Sequence, residues 1–83
     1  MKQEEFEGLV LELIPDATFV YKQEVDFVGN SHFQVTVKSP SLLHDGGGGC
    51  MNPTPDRITM VYERAYNEIY KYKRWQRLKH LKA

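Results

Sequence analysis

Apolar residues first recur at helical spacing. Phe6, Leu9, Val10, Leu13 and Ile14 fall at i, i+3, i+4, i+7 and i+8, while Glu4, Glu5, Glu7 and Glu12 lie off that stripe. This predicts an amphipathic helix that stops near Leu13 or Ile14, because the residue before Pro15 avoids the helical region. Asp16-Ala17 then turns the chain. From Thr18 the period changes to two. Phe19, Tyr21, Val25 and Phe27 alternate with Lys22, Glu24 and Asp26, which predicts a strand over 18–28. A second strand is predicted over 32–38, with Phe33, Val35 and Val37 on one face and His32, Gln34, Thr36 and Lys38 on the other.

Parity sets the hairpin register. Paired residues of an antiparallel hairpin point to the same side, so a two-residue Gly29-Asn30 loop would split the two apolar sets between faces. A three-residue loop, Gly29 to Ser31, pairs Phe27 with Phe33 and Val25 with Val35 and keeps burial one-sided. That register is the one expected.

Residues 39–55 read as a long Gly/Pro-rich loop, containing four consecutive glycines, Gly46 to Gly49. Such a run has no conformation of its own, so it is a hinge, a mobile loop, or backbone that packs against something. Leu42 and Leu43 anchor its front end, with a short third strand expected there if anywhere. After it, Thr54 suits a helix N-cap, Pro55 the first helical position and Asp56 the first turn. A C-terminal helix over 56–82 follows, its inward stripe being Ile58, Val61, Tyr62, Ala65, Ile69 and Tyr72. Trp75, Leu78 and Leu81 extend the stripe with some drift. Trp75 reads as a lid on the rim of the core. Such a helix is about 37 Å long to Lys79, whereas a compact chain of this length is roughly 30 Å across. The helix should overrun the body by about a turn.

The expected architecture is a small α+β single domain spanning 1–83. In it an α-β-β-α order packs an antiparallel hairpin on two helices, the last of them long. Two open strand edges would remain, inviting strand addition by a second copy or by a partner.

Charge adds an asymmetry that the net value of zero conceals. Residues 1–50 hold three bases and eight acids, and residues 51–83 hold eight bases and three acids. From Lys71 onward there are six bases and no acid. The apolar segments are too short to span a bilayer, and the acidic N-terminus is unlike a signal or transit peptide, so a cytoplasmic location is expected. Cys50 is the single cysteine, which excludes an internal disulfide.

The strongest chemical signal is on the last helix. Tyr66, Tyr70, Lys73, Arg74 and Arg77 fall on one outward stripe, where cations can displace counterions from phosphates and tyrosines can stack on bases. A solvated helix face with bases at its C-terminal end is the plainer explanation of the same residues. No helix-turn-helix, zinc-finger, RNP or GxxG-helix signature accompanies them. His44, Asp45 and Cys50 place three metal-ligand types within seven residues, with His32 or His80 available as a fourth. The paired spacings of zinc sites are missing, so no metal and no cofactor is expected. Cys50 reads as a spectator thiol. The four glutamates of the first helix read as its wet side, although they could also mimic DNA or pair with the basic helix of a second copy.

Gly29-Asn30-Ser31-His32-Phe33 resembles, over these five residues and with Asn30 inserted, the Gly-Ser-His stretch of HicA-type toxin ribonucleases. That resemblance implies a small α+β fold and a histidine acting as acid-base in RNA cleavage. The long final helix departs from that family.

The function expected from these features is a non-enzymatic binding module that contacts nucleic acid, or an anionic protein surface, through its basic C-terminal helix. The alternative is an accessory or inhibitor protein, of viral or mobile-element type, that docks on a protein partner. A histidine-dependent ribonuclease is the remote alternative. No small-molecule substrate and no membrane enter any of these readings.

Overall fold

A computed structural model describes residues 1–82, so Ala83 and the side chains of His80, Leu81 and Lys82 lie outside the description. Helix α1 (Gln3–Leu13) ends where Pro15 requires, and Ile14 N donates to Val10 O as the last helical bond. Strands β1 (Thr18–Val25), β2 (Ser31–Lys38) and β3 (Gly46–Met51) form one antiparallel sheet in that order, and helix α2 (Pro55–Lys82) closes the chain. Thr54 caps α2 through Oγ1, which accepts from Arg57 N at 3.2 Å. The order is α-β-β-β-α, an α+β domain. No helix among the described residues is long and apolar enough to cross a membrane.

Both helices cover one face of the sheet. That face carries Phe19 and Tyr21 of β1, Phe33, Val35 and Val37 of β2, and Gly46, Gly48 and Cys50 of β3. Its core is Phe6, Val10, Ile14, Val35, Val37, Val61, Tyr62, Ala65 and Ile69. Two of the expected stripes are thus confirmed, that of α1 by Phe6, Val10 and Ile14, and that of α2 by Val61 to Ile69. Phe6 is the hub: its ring stacks on Tyr62 at 4.9 Å and meets the edge of Phe19 at 5.8 Å. Tyr21 Oη donates to Glu7 Oε2 at 2.5 Å, tying β1 to α1. Burial first, and the Glu7 carboxylate second, push the Tyr21 phenol far above its ordinary range.

The hairpin differs from expectation in position, not in loop length. Phe33 pairs with Gln23 rather than Phe27, and Val35 with Tyr21 rather than Val25. Both apolar sets still share a face, since the shift is an even number of residues. The loop is again three residues, but it is Phe27-Val28-Gly29. Gly29 N donates to Asp26 O at 3.0 Å, Asp26 N donates to Asn30 O at 2.9 Å, and Gly29 has φ +96°. This is a type I turn followed by a left-handed glycine. Asp26 Oδ1 accepts from Val28 N and Asn30 N, and Asp26 Oδ2 contacts His32 Nε2 at 3.1 Å. Turn chemistry at Asp26 and Gly29 outweighed the burial of Phe27, which is left fully exposed.

The Asp26 carboxyl is held below its ordinary range, chiefly by the hydrogen bond from His32 and next by the Asn30 amide. A depressed carboxyl stabilises the fold above its unfolded pKa, and that contribution is lost as pH falls through the folded one. The Val28 and Asn30 amide resonances should therefore titrate together, with a midpoint below 3.8. Asp26→Asn should remove that step, and a midpoint at or above the ordinary value would contradict the turn geometry.

The long loop is the second correction. Residues 39–55 are not one irregular segment, and the third strand does not form at Leu42 and Leu43, which stay in the connection. The glycine run itself is the strand. Gly46, Gly47, Gly48 and Gly49 pair with Val37, Thr36, Val35 and Gln34. Of the three expected behaviours, backbone that packs against something is the one realised. On the inner side α2 lies directly on the strand: a Cβ at Gly46 would sit 2.9 Å from Ile69 Cγ1, and one at Gly48 would sit 3.6 Å from Val61 Cγ1. Asn52, at φ +50°, ends the strand. Its N donates to Ser31 O, and its Oδ1 accepts from Ser31 N.

Candidate nucleic-acid interface

Helix α2 runs 28 residues, about 42 Å at ~1.5 Å per residue. The molecule measures 51 × 22 × 18 Å, with a radius of gyration of 14.2 Å against roughly 12 Å for a compact chain of this size. Its elongation matches the expected overrun of α2. The buried stripe ends at Ile69. Beyond it Tyr72 is half-buried, and its Oη accepts from Leu43 N at 3.2 Å and Gln76 Nε2 at 3.0 Å. Through these bonds Tyr72 ties α2 to the connection before β3 and to its own next turn.

The five residues of the expected stripe do not share one environment. Tyr70, Arg74 and Arg77 are exposed. Tyr66 is half-buried and packs against the core, with its ring 6.1 Å from that of Tyr70. Lys73 is also half-buried. The outward stripe is therefore corrected to Tyr70, Arg74 and Arg77, with Tyr66 packed on the core and Lys73 half-buried. The reason is width: α2 buries a stripe broad enough to reach the Tyr66 flank.

Trp75 is the larger correction. Instead of capping the core rim, its side is half-exposed, its ring lies 6.2 Å from Tyr72, and Lys79 Nζ stands 4.9 Å from its centroid. This is a cation-π contact one helical turn apart. The sequence signal was the i, i+4 spacing of Trp75 and Lys79, hidden by the drifting apolar period. Two flanks of one projecting segment thus carry aromatic rings beside cations: Tyr70 with Arg74 and Arg77, and Tyr72 and Trp75 with Lys79.

Electrostatically the segment is unbalanced. The ion pairs among the described residues are Lys22–Glu24 and His32–Asp26, and neither involves α2. Lys71, Lys73, Arg74, Arg77 and Lys79 therefore meet no carboxylate at ion-pair distance among the described residues.

The other candidates do not assemble. Cys50 faces the inner side of β3 opposite Phe33 and packs on the core, while His44 lies in the exposed connection before the strand. No group of three or more His, Cys, Asp and Glu side chains gathers among the described residues. His32 lies on the outer face of the sheet, where outward-facing Gly47 and Gly49 leave an open hollow that Gln34 and Thr36 also line. Its Nε2 is engaged by Asp26. Among the described residues its other ring nitrogen is bonded to no nucleophile. Comparison with protein-family models, with curated proteins and with solved structures finds no match for this chain.

Proposed function

We propose that this chain is a non-enzymatic nucleic-acid-binding module, and that single strands are its preferred ligand. The observation that carries the reading is the end of α2, where Lys71, Lys73, Arg74, Arg77 and Lys79 meet no carboxylate at ion-pair distance among the described residues and Lys79 stands over the half-exposed Trp75 ring. Cations alone would suit any polyanion. A half-exposed indole next to them supports single strands, because unpaired bases offer their π-faces for stacking and a duplex does not.

The test is fluorescence anisotropy with labelled single-stranded DNA, single-stranded RNA and duplex DNA over a salt series. With about five phosphates neutralised, log K should fall against log salt with a slope near −4. Replacing Lys73, Arg74 and Arg77 together with Ala should lower that slope by roughly two to three and leave the circular dichroism unchanged. Trp75→Ala should weaken single-strand binding by about 1–3 kcal/mol and barely affect duplex binding. Absence of binding to all three ligands at low salt, or an affinity indifferent to salt, would exclude the reading.

A further inference from the structure

The outer edge of β1 is complementary to a copy of itself. β1 is the outermost strand of the β1-β2-β3 sheet. Asp26 bonds Asn30 across the hairpin, whereas Ser31 directs its N–H and C=O to Asn52 on the β3 side. With the observed register this alternation turns the backbone N–H and C=O of Phe19, Tyr21, Gln23 and Val25 away from β2 and off the sheet. The strand has no proline and an unbroken ladder with β2, so what guards its edge is charge alone, Lys22 and Glu24, which a suitably placed second copy can neutralise.

We propose that two copies of this chain pair antiparallel through their β1 edges, with Gln23 on the two-fold axis, forming one continuous six-stranded sheet. Outward-facing residues must meet outward-facing residues, which leaves only registers centred on a residue of β1. Centring on Lys22 would set lysine against lysine, and centring on Glu24 would set glutamate against glutamate. Centring on Gln23 sets Lys22 of each copy opposite Glu24 of the other, twice by symmetry. Lys22 and Glu24 already lie 3.5 Å apart on the outer face of one chain, so the four charges would alternate. The same register accounts for the exposed apolar residues at the far end of the hairpin. Val25, 68% exposed, comes opposite Tyr21 of the second copy, and Phe27, 103% exposed, comes beside Phe19 of the second copy. Each uncovered hairpin end would thus extend the covered core of its neighbour. This goes beyond the nucleic-acid reading and does not depend on it, because α2 packs over β3 at the opposite edge.

Light scattering on a size-exclusion column, run over a concentration series, tests the pairing. The wild-type chain should reach twice its 9.7 kDa mass. Lys22→Glu should weaken the dimer about tenfold by setting like charges opposite each other at both symmetric positions. The double exchange Lys22→Glu/Glu24→Lys should restore wild-type association. Gln23→Pro deletes an edge N–H outside the β1–β2 ladder and should give a monomer with a preserved β-sheet signal. A wild-type chain that stays monomeric at every concentration overturns the proposal. So does a dimer that survives Gln23→Pro, or one that Lys22→Glu and the double exchange affect alike.

Discussion

Gly47→Ala should cost more than about 4 kcal/mol, enough to unfold much of the population of a chain whose whole stability is on the order of 4–12 kcal/mol. A Cβ at Gly47 would lie 2.1 Å from Val35 O and 3.1 Å from Thr36 Cα, both in the backbone of the central strand. No rotamer change relieves that contact, because neither atom belongs to a side chain. Gly47 also has φ +151°, a conformation L side chains rarely adopt. The chain would have to break the β2–β3 ladder at this point, and β3 is the strand that seats α2. Gly48→Ala is the internal control. Its Cβ would meet Val61 Cγ1 at 3.6 Å, an ordinary van der Waals contact, so a change within about 1 kcal/mol is expected. Urea unfolding followed by circular dichroism measures both. Equal stabilities for the two variants would mean that the glycine run is not paired to β2 in this register.

Phe6→Ala should lose about 3–5 kcal/mol, through the transfer of a large side chain and the cavity it leaves. Phe6 is fully buried and stands where α1, α2 and β1 meet, against Tyr62 and Phe19. Its removal would forfeit two aromatic contacts as well as apolar burial, and it would loosen α1, which has no side-chain cap at its N-terminus. Phe6→Leu should recover most of the loss, since it refills most of the volume. Thermal and urea unfolding of the two variants would check the ranking. A loss below about 1 kcal/mol for Phe6→Ala would show that the site collapses freely and that α1 is not held by this ring. Phe6 belongs to the core and not to the proposed interface, so on that proposal nucleic-acid affinity per folded molecule should be unchanged.

The candidate site was legible only in part. Its charge was visible, because the run of bases after Lys71 is a property of the chain itself. Its faces were not. Tyr66 and Tyr70 are one turn apart on the same helix, yet one packs on the core and the other reaches solvent. Helical spacing orders residues around an axis, but the width of the buried sector depends on what the helix rests on. Trp75 shows the same limit from the other side. Its apolar character suggested the core rim, yet its ring is half-exposed beside Tyr72 and under Lys79.

The elements with local causes were set by sequence alone. Pro15 ends α1, Thr54 and Pro55 begin α2, and the alternation in β1 and β2 assigns their faces, because each depends on a residue's own backbone preference or on its near neighbours. The tertiary structure decided the rest. The hairpin turned at Asp26 because a carboxylate and a left-handed glycine satisfied the loop amides, at the expense of an exposed phenylalanine. Four glycines became a strand because β2 offered a ladder whose backbone comes too close to Gly47 and Gly49 for a Cβ. Glycine carries no preference that could announce such a strand; its conformation is set by what surrounds it.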